Sequence, residues 1–487
     1  MLRFIMVATA LCCTGCSPLS PQQSTPTGSG GFDVSARFGA APCAFKVPRG
    51  ARVRCGWLTV PENRSKPSGR TIRLHVAIYG SRSAQPAPDP IVWLVGGPGG
   101  RAHVLSSNLF ERVVEPYLGS RDFIVVDVRG TGYSEPALNC PDPSGPASQW
   151  LPACRERLSS IADLTSYNSA AVAADLADLR RALGIREWNL LGESYGTRLA
   201  LVAMRDQSQG IRAVILDSVV PPEVDEYADG PAKFESAMSA LFRDCVADLS
   251  CNTAFPNLGE VLLKAADQLD QSPRRISGVW RGTPFEFRFD GRQLLEALHM
   301  ALYESDLIQQ IPKAIYGAVD GSGDTVWREA IARHAIAVAK DLVDNGAHLS
   351  FHCTEEIPFT DAARLRVEDG KRPWMRHTAS GVAIVNACRL WIATNGDARE
   401  TRPVKSEIPV LLLAGEYDPV TPPVYAESAA RHLRNSHLFV IPGLGHWLTA
   451  NPVSMCPQRI ALEFLDNPNR RPDAGCLKEW KVRWAIR

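Results

Sequence analysis

A bilayer-spanning segment is missing from this sequence: its apolar run Phe4 to Cys13 falls well short of the roughly 20 residues that such a helix needs. Charge of one sign is missing too, since 53 Lys and Arg against 52 Asp and Glu leave a net charge of +1 with no long basic run. That removes the electrostatic basis for nucleic-acid binding and for steering toward acidic substrates. No internal repeat is visible, and beyond residue 31 there is no low-complexity run. His348, His352 and Cys353 lie close together, but neither Cys-x-x-Cys nor His-Glu-x-x-His accompanies them. The ligand spacing of a zinc site is therefore lacking, and no metal or other cofactor is expected.

What is present suits a soluble globular protein: 487 residues, 45% hydrophobic and 22% charged, are enough for a large core and a second lobe. Residues 1–16 hold Arg3, the apolar run and then Thr14-Gly15-Cys16, the layout of a secretory signal. Leu11 to Cys16 resembles a bacterial lipobox, so a lipoprotein-type signal with Cys16 as the lipidated residue is expected. Ser17 to Gly31 consists, apart from Leu19, of Ser, Pro, Gln, Thr and Gly, a composition that cannot bury enough apolar surface to fold and that reads as a flexible tether. The chain is thus expected to be exported, either lipid-anchored at a bacterial membrane surface or free in the periplasm or medium. The cysteines agree: of 13, three lie in the signal and ten remain, an even number. Proximity in sequence pairs Cys43 with Cys55, Cys140 with Cys154, Cys245 with Cys251, Cys353 with Cys388, and Cys456 with Cys476, although sequence alone does not fix connectivity.

Cys55 to Val60 and Thr71 to Tyr79 alternate apolar and polar residues around a Pro/Asn/Ser/Gly-rich linker, the pattern of an antiparallel pair. Ile91 to Val95 and Asp122 to Val128 are continuous apolar runs, as are Ala213 to Leu216, Pro409 to Leu413 and Leu438 to Ile441. Strands that are apolar on both faces belong to a parallel sheet covered by helices. Between residues 221 and 407 this pattern gives way to helical stripes such as Phe234 to Leu249, Gln293 to Tyr303 and Val326 to Val343. The sequence therefore predicts a doubly wound, mostly parallel α/β sheet in two parts, residues 32–220 and 408–487, with a large helical lid at 221–407 inserted between late strands.

Asn189-Leu190-Leu191-Gly192-Glu193-Ser194-Tyr195-Gly196-Thr197 runs from a buried strand through Gly-x-Ser-x-Gly into the helical stretch Thr197 to Arg205, which is a nucleophile elbow. A serine nucleophile needs a base and an acid to orient that base, and in this arrangement they follow in the order Ser, Asp or Glu, His. Asp418 lies in the loop after one buried strand, and His446 ends a glycine-rich loop after the last. Glu416 and Asp217 are rivals for the acid, but Asp-Pro-Val-Thr-Pro opens a turn at the sheet edge from which Asp418 can reach His446. The developing oxyanion needs two N–H donors: the amide of Tyr195, and one from Gly96-Gly97-Pro98-Gly99-Gly100, with Gly97 the better placed. A phosphate loop is the other reading of that stretch, but the Lys-Ser/Thr ending is absent.

Gly-Gly-Pro-Gly after one strand, Asp127-Val128-Arg129-Gly130-Thr131-Gly132-Tyr133-Ser134 after the next, Gly-Glu-Ser-Tyr-Gly-Thr at the elbow and Asp-Pro-Val-Thr-Pro near the end together resemble the secreted tripeptidyl aminopeptidase and prolyl aminopeptidase group of α/β-hydrolase-fold serine peptidases. The resemblance runs from about Cys55 to Cys476 and is specific at the sheet. It implies an α/β-hydrolase fold, a Ser194, Asp418, His446 triad, and a cysteine-closed tail from Cys456 to Cys476. Val95 stands where many prolyl members carry His. The expected activity is that of an exported serine exopeptidase, an aminopeptidase of the tripeptidyl or the single-residue kind, acting on peptides through an acyl-enzyme on Ser194. The alternative is a carboxylesterase or small amide and ester hydrolase, because the same groups serve any acyl transfer. An aminopeptidase must hold an α-ammonium group, and Glu355 and Glu356 in the lid segment Phe351 to Phe359 are the candidates.

Overall fold

The computed structural model describes residues 36–140, 147–280, 283–339, 342–365, 372–377, 382–392 and 394–486. The signal, the tether and Cys16 lie outside the described residues. Eleven strands are present among those described: β1 (Arg37–Ala41), β2 (Val53–Pro61), β3 (Thr71–Tyr79), β4 (Ile91–Leu94), β5 (Phe123–Val126), β6 (Trp188–Glu193), β7 (Ile211–Asp217), β8 (Arg274–Trp280), β9 (Thr283–Phe289), β10 (Val410–Gly415) and β11 (Ser436–Ile441). Nine of them form one sheet in the order β1-β2-β3-β5-β4-β6-β7-β10-β11. The pairs from β1 to β5 are antiparallel, and every pair from β5 through β4 to β11 is parallel.

The apolar runs explain the layering. In a strand successive side chains point to opposite faces, so Val92 and Leu94 of β4 join one buried cluster with Leu190, Val214 and Leu412. Ile91 and Trp93 join another with Leu191, Ile215 and Leu413. Helices cover both faces, which is why β4, β5, β6 and β10 are buried along their whole length. The helix Ser169–Ala182 buries Val172, Leu176 and Leu179 against the first face, and the elbow helix Tyr195–Asp206 buries Leu199, Val202 and Ala203 beside them.

The insertion departs from the expectation in two ways. It is not wholly helical: β8 and β9 pair antiparallel, with Ile276 and Phe289 buried and Val279 69% exposed. Nor does it stand as a separate lobe, since the described residues fall in one compact unit. The physical reason is a shared apolar cluster in which Cys353, Cys388 and Trp391 of the insertion pack with Leu138, Leu151 and Leu158 of the preceding part. The rest of the insertion packs around Phe234, Leu241, Leu262, Leu298 and Trp327, a cluster that Tyr417 of the C-terminal part also joins. Disulfides join Cys43 to Cys55, Cys140 to Cys154, Cys245 to Cys251, Cys353 to Cys388 and Cys456 to Cys476. No helix among the described residues is long and apolar enough to cross a membrane.

Candidate active site

Ser194 sits where β6 turns into the elbow helix, with φ 55° and ψ −126°, a backbone region that residues bearing a side chain rarely adopt. The turn leaves no room for side chains beside it: a β-carbon at Gly192 would lie 2.5 Å from the Gly196 carbonyl oxygen, and one at Gly196 would lie 1.8 Å from that of Leu94. The Ser194 N–H donates to the Asp217 carbonyl at 2.9 Å. Asp217, the rival acid, turns its carboxylate the other way and accepts from the N–H groups of Leu448 and Thr449 at 2.9 and 2.6 Å. It ties the serine turn to the loop that carries His446, which is a structural part.

Asp418 and His446 are brought together from the ends of β10 and β11. His446 Nδ1 lies 2.7 Å from Asp418 Oδ2, and both residues are almost fully buried. The remaining acceptor sites of Asp418 take the N–H groups of Val420 and Thr421 and the Thr421 hydroxyl. Burial pushes the Asp418 carboxyl up, but the His446 charge and these hydrogen bonds outweigh it and hold the group at about 2. Burial likewise opposes a charged His446, yet Asp418, Glu193 and Asp217 together raise it above its ordinary value. Glu416, the other rival, is occupied at the surface by Arg243 at 2.6 Å and the Gly443 N–H at 3.1 Å. His446 Nε2 is buried without a hydrogen-bond partner among the described residues, and catalytic hydrogen bonds often tighten only when substrate is bound.

The two residues expected to supply oxyanion donors lie on the two chain segments that meet at the serine. Tyr195 heads the elbow helix, where the first N–H groups have no acceptor within the helix. Gly97, at φ 123°, lies in the turn after β4, next to Gly96, whose β-carbon would stand 2.6 Å from that of Ser194.

The insertion at 221–407 and the elbow helix contribute groups that sequence reasoning missed. The Tyr303 ring stacks on His446 with centroids 4.4 Å apart, and the Tyr303 carbonyl accepts the His446 N–H at 3.1 Å. Arg198, one turn beyond Ser194 and 1% exposed, lies among three carboxylates. It reaches Glu355 Oε2 at 3.2 Å, Glu356 Oε1 at 3.6 Å and Glu400 Oε2 at 3.7 Å. Glu355, expected as an amine ligand, is instead occupied internally. It accepts from the Ser169 N–H on Oε1, and from the Ser169 hydroxyl at 2.6 Å, the Tyr195 hydroxyl at 2.7 Å and Arg198 on Oε2, which commits both oxygens to the protein itself. Glu356 differs: Oε2 lies 2.8 Å from His352 Nδ1, while Oε1 is buried without a hydrogen-bond partner among the described residues. It lines a cavity of about 140 Å³ with Arg198, Glu223, Asp225, Glu226 and Glu355. Burial raises both Glu226 and Glu356, each further raised by a neighbouring carboxylate. Such a carboxylate-rich recess is suited to a cationic group.

Glu193, the residue directly ahead of Ser194, is buried and interacts electrostatically with His446. Burial raises it to about 7 against the opposing pull of His446. Its negative charge in turn raises His446. Glu193→Gln should lower the pKa of His446, so neutral base persists to lower pH and the acid limb of kcat/KM moves down in pH. A pH–rate profile of the variant checks this, and an acid limb that stays put or moves up would contradict it.

Residues 89–253 match the family described as alpha/beta hydrolase fold, and residues 376–476 match the family described as TAP-like protein. The first segment holds the glycine loop and Ser194, the second Asp418 and His446. The serine protease Hip1 of Mycobacterium tuberculosis (strain ATCC 25618 / H37Rv) is 26% identical over 440 residues, 82% of each chain. The tripeptidyl aminopeptidase of Streptomyces coelicolor is 29% identical over 246 residues, 44% of each chain. The proline iminopeptidase of Neisseria gonorrhoeae is 26% identical over 142 residues, 29% of this chain and 36% of its own.

Proposed function

We propose that this chain, which has the α/β-hydrolase fold and ends in a TAP-like segment, is a serine exopeptidase that cleaves peptide bonds near free N-termini. Ser194 Oγ attacks the scissile carbonyl carbon as His446 Nε2 takes its proton, and Asp418 holds His446 by its other nitrogen. The N–H groups of Gly97 and Tyr195 receive the oxyanion. The C–N bond then breaks as His446 returns the proton to the leaving amine. Water, deprotonated by the same histidine, releases the acyl group from Ser194. The names of the relatives support peptide substrates, and the five disulfides fit an oxidising compartment.

The observation that carries the exopeptidase reading is the acidic cavity lined by Arg198, a residue one helical turn beyond Ser194, in which Glu356 keeps an oxygen without a hydrogen-bond partner among the described residues and Glu226 lines the same space. Arg198 is one positive charge among the cavity's five carboxylates, and a substrate's α-ammonium would supply a second. Acetylating the N-terminus of a peptide should abolish most of its turnover, and Glu226→Gln should lower kcat/KM for free peptides about tenfold or more, on the scale of one charge-assisted hydrogen bond of about 1.5–3 kcal/mol. Turnover of a small neutral ester should change little. Equal cleavage of free and acetylated peptides would sink the exopeptidase reading.

A further inference from the structure

One helix of the insertion, Asn345–Glu355, meets the two residues that follow Gly97 and, at its other end, the side chain of Tyr195. At its start the lid chain lies along the glycine loop. The Arg101 N–H donates to the Leu342 carbonyl and the Asp344 N–H to the Gly99 carbonyl, both at 2.9 Å, and Gly100 and Val343 form an antiparallel bridge. The fully buried Asp344 carboxylate accepts two hydrogen bonds from the Arg101 guanidinium, at 3.0 and 2.6 Å, and one from the Gly132 N–H at 2.6 Å. One turn on, His348 Nδ1 lies 3.1 Å from the Pro98 carbonyl oxygen. A carbonyl only accepts, so Nδ1 carries the proton. The approach is close: at Gly99, with φ 89°, a β-carbon would stand 2.8 Å from the Asp344 carbonyl oxygen and 3.0 Å from the His348 nitrogen. At its other end the helix holds Tyr195, whose hydroxyl donates to Glu355 and whose ring meets Phe351 and His352 edge-on.

Pro98 and Gly99 directly follow Gly97, so whatever fixes their carbonyls fixes the direction of the Gly97 N–H. A short loop rich in glycine has little stiffness of its own, and a donor contributes to rate only if it is already aimed at the developing charge. We propose that Asp344 and His348 are positioning residues of the oxyanion hole: the lid helix, anchored to the Pro98 and Gly99 carbonyls and to Arg101, holds the loop that presents the Gly97 N–H. This rests on the reading of Gly97 as a donor, but not on the substrate being a peptide.

The test uses the folded mature enzyme with a small neutral ester and a peptide amide. His348→Leu should lower kcat about ten- to hundred-fold on each substrate that the wild type turns over, part of the 10²–10³ that losing a whole oxyanion donor costs. KM should stay within about threefold. The affinity for a peptide boronate, whose tetrahedral adduct fills the oxyanion hole, should fall by a similar factor. His348→Asn, whose amide can donate near the position of Nδ1, should restore most of the loss, which a merely structural role would not explain. If His348→Leu fails to fold, Asp344→Asn serves in its place and should show the same split between kcat and KM. Wild-type kcat and boronate affinity in a folded variant, or a loss confined to KM, would overturn the proposal. A wild type that turns over the ester and no peptide would remove the peptidase reading and leave this one to be judged on the ester.

Discussion

Ser194→Ala is expected to lower kcat by about 10⁴-fold or more, and His446→Ala by a comparable factor, because members of such a triad act as a unit and removing one forfeits most of what the set supplies. The geometry explains why no neighbour can substitute. Asp418 faces His446 Nδ1 alone among the ring nitrogens, with its other acceptor sites taken by the turn at 420–421. Asp217, a second carboxylate near the serine turn, is bound to backbone N–H groups at 448 and 449. The double variant should then be little worse than either single one. An organophosphonate should label Ser194 in the wild type, found as a mass shift on the peptide that contains it, and should label nothing in Ser194→Ala. Labelling at another serine, or an alanine variant that keeps most of its activity, would refute the triad.

The largest expected effect on stability is at Arg198. This guanidinium lies in the interior of the molecule among Glu355, Glu356 and Glu400, and also donates to the Glu400 carbonyl at 3.0 Å. Its charge opposes the burial that raises Glu356 and Glu400. Arg198→Met keeps the volume and removes the charge, leaving three buried carboxylates with much less compensation, and breaking such a set by deleting one partner costs about 3–5 kcal/mol. The sign of the pH dependence follows. Without Arg198 the folded-state pKa values of Glu356 and Glu400 rise further above their unfolded values, so the folded variant binds more protons than the unfolded chain. The deficit relative to wild type should grow as pH rises above the unfolded carboxylate range and level off above the folded pKa values, and it should shrink under mildly acidic conditions. Denaturant unfolding of both proteins at several pH values measures this. A deficit under about 1 kcal/mol at neutral pH, or one that grows as pH falls, would show that the cluster is not organised around this arginine.

The sequence by itself determined the central sheet and the chain positions from which its chemistry projects. Continuous apolar runs marked β4, β5, β7 and β10 because a strand covered on both faces must be apolar at every position. Gly-x-Ser-x-Gly between a strand and a helix marked the elbow because the turn excludes β-carbons at Gly192 and Gly196. Asp418 and His446 were readable as loop residues after late strands, and the fold brings them to 2.7 Å. All of these are local patterns, in which steric demand fixes residue type within a few positions.

Other features carried weak signals or none. β1, Arg37–Ala41, is a short edge strand with no alternation. Phe285, Phe287 and Phe289 alternate along β9, a strand pattern that the sequence reading of 221–407 as helical stripes did not include. What only the tertiary structure decided is how the insertion meets the core. Arg198 sits in the apolar stretch of the elbow helix, an anomaly that marks a buried charge, but its partners lie about 157 to 202 residues away. Glu355 and Glu356 are adjacent and chemically alike. Packing turns one toward Ser169, Tyr195 and Arg198 and leaves an oxygen of the other at a cavity wall. Tyr303 on His446, and His348 on the Pro98 carbonyl, are contacts of the same kind. A hydrogen bond or a ring stack between segments far apart in the chain imposes no period on either segment, so it becomes visible only once both are folded against each other.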